Sequence, residues 1–286
     1  MTLNGTFDPY GIFYIPPPDA QGVEEEAAFH AGLERSAALT DLLLRIQSFD
    51  RLRVSNNDVT PATSIDMSAR SITMFDSNSR PMPVKNFSTT VDCTGIGVNA
   101  LDESILSSNK WYYFYAIAKT DGTNAGIASL SATTPIMPTG YTYKKLVSAI
   151  YYLTTGVSNF RPIHQFDRWV EYDSPFLLYG ADSNSWTAKS LSALVPSLST
   201  KIKLQVYGGE TYDLYHAIAW DSSGDLHSTN FISKTTGAPW VPAQDAVTQS
   251  PCEYLLNPAD PQTIYAKGYD DNWRGNGNCL AYELDI

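Results

Sequence analysis

A segment near the C-terminus, rich in glycine and asparagine, combines the side chains with which proteins hold sugars. Tyr269 and Trp273 offer ring faces to the C–H groups of a sugar. Asp270, Asp271 and Arg274 offer charged hydrogen-bonding groups to its hydroxyls. Asparagine and glycine also form turns, so a plain hairpin turn is the alternative interpretation. The five residues are therefore a candidate receptor or glycan contact.

Catalysis is not indicated by the remaining polar residues. A Ser-His-Asp triad needs a base beside a positioned nucleophile, and none of the four histidines accompanies a Gly-x-Ser-x-Gly turn. Glycoside cleavage needs two carboxyl groups about 5–10 Å apart. Glu171 and Asp173 would share one face of a strand, and Asp270 is followed by Asp271, but such pairs are common in any chain. The sequence predicts a protein that is not an enzyme.

Metal and cofactor sites are not predicted either. The sequence has no Asp-x-Asn-x-Asp-Gly loop for calcium, and its three cysteines lack the Cys-x-x-Cys spacing of a zinc module. We expect no cofactor and three reduced, buried thiols, Cys93, Cys252 and Cys279. A Cys252–Cys279 disulfide is a minor alternative, since the protein would assemble in a cytoplasm, which is a reducing compartment.

The composition favours β-structure and argues against two classes of partner. Of the 286 residues, 43% are hydrophobic, 17% are charged and 18 are tyrosine, which suits sheets joined by turns. A formal net charge of −11 repels nucleic acid and anionic lipid, so we expect no nucleic-acid partner. The sequence contains neither a long apolar span nor a Sec-type signal. We therefore expect that the protein is made in a cytoplasm and does not insert into a membrane.

The N-terminal 22 residues combine a run of three prolines with four large aromatic side chains, Phe7, Tyr10, Phe13 and Tyr14. Consecutive prolines exclude a helix or a central strand there. Disordered tails are poor in aromatic residues, so these four are expected to have contacts. The segment is predicted to be an arm that either folds back on its own domain or docks on another protein.

Residues 23–47 form the one predicted helix. Three glutamates open it, where the helix dipole favours acidic side chains, and alanines follow. Its apolar stripe has the three- and four-residue spacing of packed helices and comprises Leu33, Leu39, Leu42, Ile46 and, just beyond the helix, Phe49. The stripe either packs on the β domain or gathers several chains. Together with the aromatic arm it is the candidate anchor and oligomerisation surface.

The rest of the chain predicts short strands separated by turns. Residues 111–118 lead through an Asp-Gly turn at 120–123 into a strand at 125–131. Residues 201–207 alternate polar and apolar side chains, which predicts one wet face. Further strands are predicted at 71–75, 87–93, 144–153, 160–166, 169–172, 176–179, 212–220, 226–233, 252–255, 262–266 and 279–285, with a loop at 79–83. Many short strands at this spacing indicate a sandwich or barrel.

Two parts of the chain resemble a known class of protein. The aromatic strand at 111–118 and the run Leu-Ser-Ala-Thr-Thr-Pro-Ile-Met-Pro-Thr-Gly-Tyr-Thr-Tyr-Lys that starts at Leu130 resemble a strand and corner that recur in bacteriophage tail-fibre and other virion structural proteins. This likeness covers about residues 105–155. Ser-Phe-Asp-Arg-Leu-Arg-Val-Ser at 48–55, with Met-Phe-Asp-Ser at 74–77, is similar to a stretch near the start of many phage structural proteins, where Asp50 replaces the usual glycine.

The resemblance implies a virion protein of the tail-fibre or head-fibre type, a homotrimer that contacts other virion proteins of head or tail and a host-surface glycan. The expected fold is mainly β: an antiparallel, jelly-roll-like β-sandwich body at 105–286, a transition region at 51–104, and an N-terminal arm plus one α-helix at 1–50. The alternatives are a capsid decoration, cement or tail connector protein without receptor binding, and a carbohydrate-binding module.

Overall fold

The computed structural model describes residues 6–7, 13–14, 48–103, 105–153, 159–181, 185–208, 214–223, 229–233, 252–268 and 275–286. The chain divides into two compact units, Met1–Ser48 and Phe49–Ile286. In the first unit, β1 (Thr6–Phe7) pairs antiparallel with β2 (Phe13–Tyr14), and Phe7 lies opposite Phe13. The helix predicted at residues 23–47 lies outside the described residues.

The described part of the second unit consists of strands and turns, without an α-helix. Its strands are β3 (Phe49–Asp50), β4 (Arg53–Asn56), β5 (Ser64–Phe75), β6 (Pro81–Asp92), β7 (Ala100–Leu101), β8 (Lys110–Ala118), β9 (Asn124–Ser129), β10 (Tyr143–Leu153), β11 (Asn159–Phe160), β12 (Ile163–Phe166), β13 (Trp169–Ala181), β14 (Thr187–Ser190), β15 (Ser199–Gly208), β16 (Leu214–Ala219), β17 (Thr229–Ser233), β18 (Cys252–Leu255), β19 (Thr263–Gly268) and β20 (Gly275–Leu284). The predicted mainly β class is confirmed. Among the described residues, no helix is long and apolar enough to cross a membrane.

Most of these strands belong to one 14-stranded sheet. Its main order is β18-β15-β20-β13-β12-β4-β5-β10-β8-β9-β7, while β11 pairs with β10, and β3 and β6 pair with β5. Neighbours in it are antiparallel except β7 and β9, which are parallel. A separate four-stranded sheet has the order β14-β19-β16-β17. The segment 51–104, expected to be a transition region, supplies β4 to β7 and lies in the same compact unit as the later strands.

The aromatic strand β8 lies in the middle of the core. Its residues from Tyr112 to Ala118 are all buried, on both faces of the sheet, which is why the run is apolar without alternation. On one side it pairs with β10, and on the other it turns back into β9. Gly122 takes a φ of +87° in that turn, and the Asp121 carboxylate accepts a hydrogen bond from the Thr123 N–H. The predicted Asp-Gly hairpin is confirmed.

The large sheet bends back on itself. The Tyr282 hydroxyl in β20 donates to the Ala149 carbonyl in β10 at 2.5 Å, although four strands separate β20 from β10 in the strand order. A flat sheet would place strands five steps apart roughly 24 Å from each other. The Gln165 side chain in β12 likewise donates to the Val147 carbonyl in β10. The two halves of the sheet therefore share one hydrophobic core.

Three boundary predictions were wrong: the strand predicted at 160–166 is two strands, β11 and β12, which pair with different neighbours, and two further errors have identifiable reasons. The loop predicted at 79–83 overlaps β6, in which Pro81 and Pro83 lie opposite Phe75 and Thr73. Because β6 has only β5 as a strand partner among the described residues, its other edge tolerates the missing N–H groups. The two strands predicted at 169–172 and 176–179 are one strand, β13, whose register with β20 shifts between Glu171 and Phe176.

The described thiols are buried and unpaired. Cys93 and Cys279 are free, and burial raises the pKa of the Cys279 thiol to about 12. Leu204 in β15 lies opposite both Cys252 and Cys279, so these cysteines occupy strands on either side of β15. Two strand spacings of about 4.8 Å separate their Cα atoms by roughly 9.6 Å, whereas a disulfide needs less than about 7 Å. The register thus excludes the Cys252–Cys279 disulfide.

Gly126→Ala should lower the free energy of unfolding by about 1–3 kcal/mol, because a side chain there has no room. An added Cβ would lie 2.5 Å from Cγ2 of Val91 and 2.6 Å from Cε of Met67, both in the core. The matched control is Gly95→Ala, whose Cβ would meet nothing closer than the Ala100 Cβ at 3.9 Å. Urea unfolding of both variants is the measurement, and equal midpoints would contradict this packing.

Candidate functional site

A groove with a volume of ≈ 490 Å³ crosses the solvent side of the large sheet. Its lining comes from β4, β12, β13, β15 and β18, whose segments are scattered over some two hundred residues of sequence. Charged and aromatic side chains of this lining include Arg53, Phe166, Trp169, Glu171, Lys203 and Glu253. The groove is thus a polar surface with two large rings.

Strand register explains why these side chains share one face, because residues opposite one another point to the same side of a sheet. Across β4, β12, β13, β20, β15 and β18, one row consists of Ser55, His164, Glu171, Ala281, Lys203 and Glu253. The second row consists of Arg53, Phe166, Trp169, Glu283, Lys201 and Leu255. The row between them is buried and consists of Val54, Gln165, Val170, Tyr282, Ile202 and Tyr254. Alternation along each strand therefore separates the groove from the core.

A tight turn positions the two rings. Phe166 ends β12 and lies opposite Trp169, which begins β13. Asp167, in the turn between them, has a φ of +52°, a conformation that aspartate tolerates better than most residues. Its N–H donates to the Leu52 carbonyl at 2.9 Å, and its carboxylate accepts from the Leu52 N–H at 3.0 Å. These two hydrogen bonds to Leu52 hold the turn in place, and the turn positions both rings.

Two lysines and their carboxylate partners surround Trp169. The Nζ atoms of Lys201 and Lys203 lie 5.8 and 5.7 Å from the centre of its ring, within the range of cation–π attraction. Lys201 also contacts Glu283 at 2.9 Å, and Lys203 contacts Glu171 at 3.3 Å. The hydrogen bond from Lys201 to Glu283 raises the pKa of that lysine above its usual value. Carboxylates of the protein therefore hold both lysine side chains beside the Trp169 ring.

Arg53 is arranged differently from the two lysines. Its guanidinium carbon lies 5.5 Å from the centre of the Phe166 ring, and Phe166 is 53% exposed. No carboxylate of the described residues lies within 4 Å of this guanidinium. Arg53 consequently contributes to the groove lining a cation that the Phe166 ring supports and that has no carboxylate partner among the described residues.

Carboxylates on this face of the sheet contact basic side chains. Glu171 contacts Lys203, and Asp173, farther along β13, contacts the Nε2 atom of His164 at 3.3 Å. Both carboxylates are exposed, as expected for two residues on the wet face of a strand. Within the described ranges, no group of three or more His, Cys, Asp or Glu side chains is placed to hold a metal ion. The arrangement offers ring faces, fixed charges and hydrogen-bond acceptors, which is the chemistry of binding.

The residues singled out from the sequence are distributed as follows. Tyr269, Asp270, Asp271, Trp273 and Arg274 lie outside the described residues, between the end of β19 and the start of β20. Tyr10, Leu33, Leu39, Leu42 and Ile46 lie outside them as well. Phe7, Phe13 and Tyr14 are in the β1–β2 hairpin, and Phe49, opposite Ile72, packs half-buried against the core of the second unit.

Sequence reasoning missed the groove, although each strand carries a sign of it. The alternation in residues 201–207 predicted a wet face, and that prediction is confirmed for Lys201 and Lys203, which flank the buried Ile202. Exposed and buried side chains also alternate over short stretches around Val54 and Val170. A scan of protein-family models and a search of curated proteins return no match to this chain.

Proposed function

We propose that the protein is a structural subunit of a bacteriophage particle, of the tail-fibre or head-fibre type, that is anchored through its N-terminal residues and attaches to a host surface. The observation that carries the proposal is the groove: two rings and three cations are fixed on the solvent side of a broad sheet. A protein that adheres without chemical change needs a rigid surface of this kind. The virion would be its location.

The corner that carries the sequence resemblance is tied to the sheet at several points, which suits a mechanical part. The Tyr115 hydroxyl donates to the Ser131 carbonyl at 2.8 Å, and the Lys144 ammonium donates to the Thr133 carbonyl at the same distance. The Ile136 N–H donates to the Asp102 carboxylate at 2.9 Å. Such ties leave a proline-rich loop little freedom, and they support a structural role for this segment.

For the body we propose an antiparallel sandwich with jelly-roll-like connections. Its support is the contact between distant parts of the strand order, such as the hydrogen bond from Tyr282 to Ala149. The rings of Trp111 in β8 and Tyr282 in β20 also meet edge to face at 5.8 Å. Contacts of this kind join two layers whose inner faces share a core.

We also propose that three chains assemble side by side. A long strand such as β6 has one strand partner among the described residues, and an unpaired edge invites association. A closed ring of three bodies would cover such edges, and the aromatic arm with the apolar stripe would gather the chains.

The test is the position of the protein on phage particles. Purified particles labelled with an antibody against the chain should show it in electron micrographs at fibres or appendages, and light scattering of the isolated protein should give the mass of three chains. Antibody label spread over the capsid, on protein that does not adsorb to cells, would favour a decoration or connector role. Particles without label would overturn the proposal and leave a free carbohydrate-binding module as the better account of the groove.

A further inference from the structure

We propose that the groove binds a saccharide that carries a carboxylate, with Arg53 pairing to the carboxylate and with Phe166 and Trp169 packing against sugar rings. The inference rests on the proposed attachment function and names the chemical class of its ligand. It assigns recognition to residues of β4, β12 and β13, apart from the candidate contact at 269–274.

The dimensions and rings of the groove suit a sugar. A volume of ≈ 490 Å³ lies within the range of small-molecule sites. Phe166 and Trp169 are side by side across the β12–β13 pair, so they form a short strip of aromatic surface. Sugar rings have one face of C–H groups that packs on such a strip, while their hydroxyls point outward to polar neighbours. Glu171 and Glu253 are exposed acceptors in the lining.

The charges select an acidic ligand. The chain has a net charge of −11, yet Arg53, Lys201 and Lys203 converge on the two rings. Carboxylates of the protein already hold both lysines, at 2.9 and 3.3 Å. Arg53 is left without such a partner among the described residues, and a guanidinium pairs with a carboxylate through two parallel hydrogen bonds. A neutral sugar would offer the guanidinium no carboxylate for these two hydrogen bonds.

The same neighbours disfavour ligands of higher negative charge. Glu171, Glu253 and Glu283 all lie on this face beside Lys201 and Lys203, so the two lysines are offset by carboxylates and the face has no excess of positive charge for a densely sulfated or phosphorylated chain. One carboxylate per recognised unit matches Arg53, the groove cation without a carboxylate partner among the described residues. The stack of Arg53 on Phe166 lowers the cost of ordering the side chain, because the ring already holds the guanidinium in place.

The experiment measures binding of the full chain to an array of immobilised saccharides in which uronate- and sialate-containing members are matched by neutral counterparts. We expect binding to an acidic member and at least tenfold weaker binding to its neutral counterpart. Arg53→Gln and Phe166→Ala should each weaken the acidic interaction at least tenfold. Arg80→Gln, which removes an exposed arginine outside the groove lining, should bind as the unaltered protein does.

The thermal unfolding midpoint of each variant controls for folding, since Arg53 and Phe166 are both exposed. Binding to neutral saccharides alone, or equal binding by Arg53→Gln, would overturn the assignment of an acidic ligand and leave attachment standing. An absence of binding to every acidic member would overturn it too. Failure of the proposed function is read separately, from particles that carry no antibody label.

Discussion

Raising the pH from 8 to 11 should cost the folded protein several kcal/mol of stability, because buried acids of the core cannot ionise there. Burial raises the pKa of Tyr172 and Tyr282 well above the usual value of 10, and raises that of Cys279 from 9.0 to about 12. In the unfolded chain these groups lose their protons near their usual values. Above those values the unfolded state binds fewer protons than the folded state, so stability falls as pH rises.

The size of the loss follows from the same linkage. At pH 11 each of the two tyrosines should contribute on the order of 1 kcal/mol of lost stability, and Cys279 on the order of 3 kcal/mol. Urea unfolding at pH 8, 10 and 11 measures the total. In Tyr282→Phe the difference in unfolding free energy between pH 8 and pH 11 should shrink by on the order of 1 kcal/mol, although the variant is less stable at both pH values. Stability that stays constant between pH 9 and 11 would contradict the burial of these groups.

Phe160→Ala should lower the free energy of unfolding by about 3–5 kcal/mol, among the largest effects expected of one substitution. Phe160 is 1% exposed, and its ring lies edge to face at 5.0 Å from Tyr152, 5.5 Å from Phe114 and 5.7 Å from Tyr112. Removing the ring leaves a cavity and three aromatic neighbours without their partner.

The matched control is Phe166→Ala, the same chemical change at a ring that faces solvent. Its cost should stay within roughly 0.5 kcal/mol, since exposed side chains contribute little to folding. Urea midpoints for both variants are measured under one set of conditions. Similar losses at the two positions would mean that Phe160 is not the centre of an aromatic cluster.

Local sequence patterns predicted the strands that local interactions define. The apolar run of β8 and the Asp-Gly turn after it are confirmed, and β18 has the predicted bounds, Cys252–Leu255. These features depend on residues within a few positions of each other, where propensity and turn chemistry act directly. The start of β6 was predicted to be a loop because proline is excluded from a central strand. Pro81 and Pro83 are tolerated there because they lie in a strand whose outer edge has no strand partner in the described part of the chain.

The groove could not be predicted, because it depends on which strands become neighbours. Arg53 meets Phe166 only because β4 pairs with β12, and Lys203 reaches Glu171 only because β20 lies between β13 and β15. Taken alone, the sequence of each strand predicts a solvent-facing side but not a groove. Strand order over such sequence distances is set by the packing of the whole core, which no local window contains.

The position of β20 has a consequence for how the chain is made. Gly275–Leu284 lies between β13 and β15, so the inner edge of each of these strands stays unpaired until residue 284 has been synthesised, although β13 also pairs with β12 and β15 with β18. Until then the chain carries two unpaired edges and an incomplete wall of the core, a state exposed to mispairing with other nascent copies. Contacts of such long range make folding slow. The inner edges of β13 and β15 can therefore pair only after β20 has been synthesised.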